Sequence, residues 1–397
     1  MSGIQEGTTA YNRAALALFF AGFVIFSILY TVQPLMPSLT NAFNVAPSRA
    51  SMSLSVSTAT LAIGLLLAVP LASRFGRKTL MTASLIATTC LSLMSAFAPT
   101  FTWFLVLRGL IGFFLAGVPA MAMAYIAEEF HKDGIGKMMG LYIAGNSIGG
   151  MGGRLIAGSI GDFFDWRIAI VVISLVAAAG TILFMTMLAP PQRKQTELFS
   201  IAGTTRKYLN ALKQKRLMLL VSLGFLLMGS FVTIYNYIGF YLMDPPFSFS
   251  QTVVSFLFIS YLAGTFSSVY MGKKADQYGK SRILLISVLI MGAGAWLTVL
   301  PYGVIQLPAL LILTFGFFAS HSIASNSVST LAGKFRAEAA SLYLVSYYLG
   351  SSVAGTVGGL FYDFYGWLGI LIFISVLLLC VFPVIVVAKL EKPSETS

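Results

Sequence analysis

Gly145-Asn146-Ser147-Ile148-Gly149-Gly150 and Gly350-Ser351-Ser352-Val353-Ala354-Gly355 stand 205 residues apart, each inside a long apolar run. Two glycine-rich segments of one shape, one in each half, are the trace of a duplicated helix bundle in a membrane. Small residues let helix backbones approach closely where lipid supplies no hydrophobic drive between helices. Working outward, Gly112-Phe113-Phe114 matches Gly316-Phe317-Phe318 at an offset of 204, and Gly76 matches Gly279 at 203. The matches keep their order at nearly one offset.

Composition points the same way. Of 397 residues, 57% are hydrophobic and only 10% charged, against roughly 25% charged in a soluble domain. A soluble globular protein is excluded. An outer-membrane barrel would alternate over segments of about ten residues, whereas these apolar runs have the length of spanning helices, about 20 residues. Breaks between the runs predict spans near 14–36, 51–72, 79–98, 101–126, 138–161 and 167–189, then 217–243, 251–272, 281–301, 306–332, 338–361 and 367–388. Span 1 does not align with span 7 by sequence. The expected fold is an all-α polytopic membrane protein, with twelve transmembrane helices in two pseudo-symmetric six-helix bundles. The bundles occupy residues 1–189 and 217–397, joined by a polar linker over 190–216. The first span follows a short polar leader without a small-residue cleavage site and reads as a retained helix.

The net charge is +12, yet the basic residues lie between apolar runs, where membrane orientation explains them and nucleic acid is not an expected partner. Of the 25 basic residues, only Arg49 and Arg167 fall at external ends if the N-terminus is inside, and only Arg108 and Arg154 fall within spans. Both termini and the linker, rich in basic residues from Arg193 to Arg216, are therefore expected in the cytoplasm. The protein would be a multi-pass monomer of the cytoplasmic (inner) membrane, with the lipid bilayer as its surroundings. Cys90 and Cys380 lie inside apolar runs, which supports neither a disulfide framework nor a zinc site. No nucleotide-binding loop and no nucleophile, base and orienter set can be assembled, so an enzyme is not expected, nor a metal, a cofactor or direct ATP drive.

Intramembrane ionisable groups cost about 2.5 to 3.5 kcal/mol on insertion scales and are functional candidates by default. Here they are Arg108, Arg154 and His321; Asp162, Asp165, Asp244 and Asp363 all fall at external span ends. Arg108 in span 4 and Arg154 in span 5 lie at similar depth. They are balanced by neutral acceptors such as Gln33 or Tyr30, by backbone carbonyls, by water, by Asp162 or Asp165, or by an anionic substrate. Alternatively, Arg108 ties span 4 to a span 1 bent near Pro34, and Arg154 snorkels outward. His321 either exchanges a proton near neutral pH or packs as a neutral hydrogen-bonding ring. Tyr235, Asn236 and Tyr237 in span 7, with Tyr343, Tyr347 and Tyr348 in span 11, offer aromatic surface with polar handles for an amphipathic small molecule. Positions 235 and 237 cannot both point fully inward on one helix. The candidate substrate contacts are thus Tyr30, Gln33, Arg108, Asn146, Arg154, Tyr235, Asn236, Tyr237 and Tyr347, with His321 for proton coupling.

Two basic hairpins repeat between the halves: Val69-Pro70-Leu71-Ala72-Ser73-Arg74-Phe75-Gly76-Arg77-Lys78, and Gly272-Lys273-Lys274-Ala275-Asp276-Gln277-Tyr278-Gly279-Lys280. Glycine permits a tight turn between antiparallel helices, and Asp can cap a helix or pair with a basic neighbour. These hairpins resemble the Gly-x-Leu-Ala-Asp-Arg-x-Gly-Arg-Lys signature of the major facilitator superfamily, as Arg108-Gly109-x-x-Gly112 resembles its span 4 motif. The glycine-rich segment from Gly145 to Arg154, with Gly224–Leu242 and Tyr347–Ser352, looks most like the acriflavine-sensitivity branch of multidrug-efflux-like facilitators.

The resemblance implies alternating access by a secondary active transporter. It implies proton-coupled export of drugs or metabolites, with the hairpins latching the outward-open state. Gating would fall to Ser73, Arg74, Gly76, Arg77 and Lys78 in one half, and to Gly272, Asp276, Gly279 and Lys280 in the other. Arg74, Arg77 and Lys78 either join the latch or only set topology. Ser73 stands where the signature has Asp and cannot form an ion pair, which shifts weight to Asp276. The rival expectations are an importer or exchanger of small organic anions, argued by the two arginines, and a non-transporting membrane receptor.

Overall fold

The computed structural model describes residues 3–189 and 208–388. Its helices begin with α1 (Thr9–Tyr30), α2 (Met36–Phe43), α3 (Pro47–Phe75), α4 (Arg77–Ser95), α5 (Phe101–Leu115), α6 (Pro119–Glu129), α7 (Lys132–Phe163) and α8 (Trp166–Met187). They continue with α9 (Lys215–Met243), α10 (Gln251–Phe256), α11 (Tyr261–Tyr278), α12 (Lys280–Leu297), α13 (Gly303–Leu331), α14 (Arg336–Leu379) and α15 (Val381–Ala388). Among the described residues, eight stretches are long and apolar enough to cross a membrane. One of them, Arg336–Ala388, holds two passes, because Gly366 (φ 61°, ψ −148°) leaves the helix inside α14. With α4, the broken pair α5–α6, and α7, the fold is the expected twelve-helix, two-bundle architecture.

Two compact units form, one from residues 1–43 with 56–201, the other from 44–55 with 202–397. Helix α3 therefore contributes its first turns to the second unit. There the Ser48 N–H donates to Asp363 Oδ1 at 3.3 Å, and Ser51 Oγ donates to the Gly355 carbonyl at 3.4 Å.

Local chemistry sets the element ends. Side-chain oxygens of Thr8, Thr100, Asp165 and Ser250 accept N–H groups that would otherwise be orphaned at the starts of α1, α5, α8 and α10. α1 stops because Pro34 has no N–H to offer. The chain tightens into shorter-range bonds, Gln33 N to Tyr30 O and Leu35 N to Val32 O, and the last carbonyls of α1 are left to other donors. The two hairpin glycines do what the sequence assigned them: Gly76 (φ 84°) and Gly279 (φ 96°) adopt the left-handed backbone that joins α3 to α4 and α11 to α12.

The glycine-rich segments are helix seams. A Cβ on Gly145 would stand 2.2 Å from the Phe19 carbonyl oxygen, one on Gly149 2.3 Å from that of Phe23, and one on Gly153 2.6 Å from Ser27 Cα, so α7 lies directly on the backbone of α1. In the second unit, Gly350 of α14 meets the Phe225 carbonyl of α9 at 2.3 Å in the same way. That correspondence sets Phe19 against Phe225 and supplies the register between spans 1 and 7 that side-chain identity does not.

Candidate functional site

In the first unit the end of α1 gathers both buried arginines. Arg108, on α5, donates from Nη1 to the Ile28 carbonyl (3.1 Å) and from Nη2 to that of Leu29 (2.7 Å). These belong to the last turn of α1, where carbonyls lack helical donors and the macrodipole is negative. Ser57 of α3 in turn donates to the Arg108 carbonyl at 2.9 Å. On α7, Arg154 donates from Nε to Gln33 Oε1 (2.7 Å) and from Nη1 to Gly150 O (2.9 Å), and its Cζ sits 3.9 Å from the Tyr30 ring centroid. A cation over an aromatic face in a desolvated setting is worth about 2 kcal/mol. Of the balancing groups open to the arginines, the structure uses backbone carbonyls for both, and adds Gln33 and Tyr30 for Arg154. Tyr30, Gln33, Arg108 and Arg154 thus converge on one end of α1. Asn146 lies about 12 Å further along α7, where Gly22 makes room for it: a Cβ at position 22 would stand 2.2 Å from its Oδ1.

In the second unit the tyrosines of span 7 diverge, as their spacing requires. Tyr235 is buried, and its hydroxyl lies 2.6 Å from both Ser260 Oγ and Thr314 Oγ1. The Tyr237 hydroxyl donates to Gly355 O at 2.9 Å, and its ring stacks on Tyr362. Asn236, between them, is also buried. Around Tyr235 runs a continuous aromatic cluster from α9, α11 and α13. Phe231 stacks on Phe317 with centroids 3.8 Å apart, and Tyr261 lies edge-on to Tyr235, Phe231 and Phe318. His321 continues the cluster. It stacks on Phe317 with centroids 5.8 Å apart, lies tilted against Tyr347 at 4.9 Å, and its Nδ1 lies 3.0 Å from the Tyr343 hydroxyl. His321 and Tyr347 are half-buried, as are Tyr261 and Phe318, while Tyr343 is fully buried.

The hairpin residues differ between units. The side chain of Ser73 lies outside the described residues. Arg77 forms a two-pronged ion pair with Glu128 at the end of α6, and Lys78 donates to the Leu188 carbonyl. Burial lowers the Arg77 pKa, and the Glu129 carboxylate opposes that shift. Arg74 stays exposed, its Cζ 5.4 Å from the Phe75 ring. The sequence reading overlooked Glu128; the signal available was a carboxylate pair at the end of span 4, facing the basic hairpin across one bundle. In the second unit Asp276 is exposed beside Gly272 and Gly279, and Lys280 reaches Thr330 Oγ1 at 3.4 Å.

A family model described as Major Facilitator Superfamily matches residues 18–355 and 245–397. The chain belongs to that family. It is a multi-pass membrane transporter and not an enzyme. It is 40% identical over 379 residues to the Uncharacterized MFS-type transporter YybF of Bacillus subtilis (strain 168), covering 96% of this chain and 94% of the relative. It is 42% identical over 378 residues to the Inner membrane transport protein YnfM of Escherichia coli (strain K12), covering 94% and 90%. A more distant relative is the Multi-drug resistance efflux pump PmrA homolog of Lactococcus lactis, 25% identical over 339 residues, covering 82% and 81%. Among solved structures, a bacterial homolog to the human lysosomal transporter Spinster, inward-facing and unoccupied, aligns with a TM-score of 0.80 at 13% identity. That alignment covers 98% and 99% of the two chains and shows the fold alone.

Proposed function

We propose that this transporter exports an amphipathic organic solute in exchange for protons. Residues 1–189 and 217–397 work as its two bundles, and the linker and both termini lie in the cytoplasm of a cell with the protein in its inner membrane. The observation that carries this reading is that both arginines bind span 1: Arg108 donates to two main-chain carbonyls at the end of α1, and Arg154 donates to Gln33 and lies over the face of Tyr30. Guanidinium groups bound in this way hold span 1 in its bent form rather than standing as a preformed pair for an anion.

Solute contacts then come from Tyr30, Gln33 and Asn146 in the first unit and from the Tyr235, Asn236, Tyr237 and Tyr347 region in the second. Aromatic faces with a few polar handles tolerate varied amphipathic shapes. The distant resemblance to an efflux pump supports the outward direction. His321 is the proton site, being the half-buried histidine of the aromatic cluster. The hairpin residues Arg77 and Lys78, with Asp276 and Lys280, hold the cytoplasmic ends while that side is shut.

The test is flux in sealed vesicles under an imposed pH gradient, with cationic, neutral and anionic solutes compared. Proton-driven movement of cationic or neutral amphiphiles is expected. Movement of small anions alone would replace this reading with the anion importer or exchanger, and the absence of any flux with retained binding would replace it with a receptor. His321→Asn should abolish proton-driven flux while leaving solute exchange intact.

A further inference from the structure

The Tyr343 hydroxyl makes two contacts with one residue: it lies 3.0 Å from His321 Nδ1 and donates to the His321 main-chain carbonyl at 3.5 Å. A hydroxyl has a single hydrogen and two lone pairs. Both contacts are hydrogen bonds only if that hydrogen goes to the carbonyl and the oxygen accepts from Nδ1–H. The ring nitrogen left without a hydrogen in the neutral imidazole is then Nε2.

From this we infer that Tyr343 is a positioning residue that fixes His321 as the Nδ1–H tautomer, which makes Nε2 the atom that takes up and releases the proton. The inference rests on the reading of His321 as the proton site. Uptake adds one proton to the Nε2 lone pair and moves nothing else, since Nδ1–H still donates to Tyr343 and Tyr343 still donates to the carbonyl. In the charged ring the Nδ1–H bond becomes charge-assisted and strengthens. Tyr343 thus favours the protonated state without a carboxylate.

The surroundings fit a site whose behaviour depends on this hydroxyl. Tyr343 is 1% exposed, so water does not replace it, whereas His321 is half-buried. Of the helices packed on α13, α14 brings Tyr343 and Tyr347, α9 brings Tyr235 and α11 brings Tyr261. On α12 the charged groups Lys280 and Arg282 sit at the helix start, where Lys280 reaches Thr330, far down α13 from His321. Among the described residues of this unit, no carboxylate faces the ring. Phe317 stacks on the ring and Tyr347 lies tilted against it, contacts that hold its plane but not its tautomer, which is left to Tyr343.

The chain has two histidines, His131 and His321, so ¹⁵N-histidine labelling of the full-length protein in detergent, with His131→Gln as the assignment control, reads the ring directly. The neutral His321 ring should show the Nδ1–H tautomer in the unsubstituted protein; finding Nε2–H there would overturn the inference without any variant at Tyr343. Tyr343→Phe keeps the ring and loses the hydroxyl. It should release the ring to Nε2–H and move the titration midpoint, and with it the acid limb of transport, down by about 0.5 to 1 pH unit, the difference between a charge-assisted and a neutral hydrogen bond. A midpoint unchanged in Tyr343→Phe, with only the amplitude reduced, would assign Tyr343 to packing and overturn the inference. Failure of the underlying reading looks different: proton-driven flux would survive His321→Asn whatever the tautomer.

Discussion

The α1–α7 seam gives a prediction whose size follows from distances. In Gly149→Ala the new Cβ would meet Phe23 O at 2.3 Å, Cα at 2.5 Å and C at 2.8 Å, all main-chain atoms that cannot rotate away. Ordinary contact begins near 3.4 Å, so α1 must retreat by roughly 1 Å; overpacking on this scale costs about 1 to 3 kcal/mol. Helix propensity returns up to about 1 kcal/mol for replacing glycine, so a net loss of up to about 2 kcal/mol remains. Gly152, on the same helix, is the internal control. A Cβ there has its nearest neighbour at 3.9 Å, the tip of the Phe23 ring, so Gly152→Ala should be neutral or gain up to about 1 kcal/mol. The displacement also carries Tyr30 and Gln33 away from Arg154, stretching a 2.7 Å hydrogen bond towards the roughly 3.5 Å at which it ceases to be one. Thermal unfolding of the two purified variants in one detergent, paired with solute binding, checks both parts. Equal melting shifts, or a Gly149→Ala protein as stable as Gly152→Ala, would refute the argument that α7 rests on the backbone of α1.

Three further outcomes are expected. Arg154→Gln should leave the affinity for a lipophilic cation intact or improve it, and Arg108→Gln should lower stability by about 1.5 to 3 kcal/mol through the lost carbonyl contacts; loss of affinity confined to an anionic ligand in both variants would contradict export of cations. Gly279→Ala forces a side chain into φ 96° and should cost about 1 kcal/mol or more in thermal stability, while Asp276→Asn should lower transport more than Ser73→Ala, with equal effects of the latter pair ruling out an asymmetric latch. Cysteines placed in 190–216, after the exposed Cys90 and Cys380 are replaced, should react with an impermeant thiol reagent only once cells are opened, and labelling of intact cells would reverse the orientation.

The passes and the duplication were readable because apolar length and glycine spacing are local properties. The hairpin turns were readable for the same reason: Gly76 and Gly279 announce a left-handed backbone without reference to anything distant. The arginine partners were legible only as a set of options. The choice of Ile28 and Leu29 carbonyls depends on where Pro34 ends α1, and main-chain acceptors carry no residue signature. Glu128 escaped notice because its partner Arg77 lies 51 positions away and the family signature directs attention to position 73. The equivalence of spans 1 and 7 was hidden likewise, since the atoms that define it, Phe19 O and Phe225 O, are main-chain oxygens that would serve with almost any side chain attached.

One helix sets a limit on dissecting this molecule. Because the turns of α3 before Val56 are built into the second unit, through Asp363 and Gly355, the packing boundary does not follow the repeat boundary. Cutting the gene within codons 190–216 would yield a leading fragment whose own third helix ends in polar groups shaped for the trailing one. Split halves should therefore complement when synthesised together, and the leading half made alone should be the one cleared by membrane quality control.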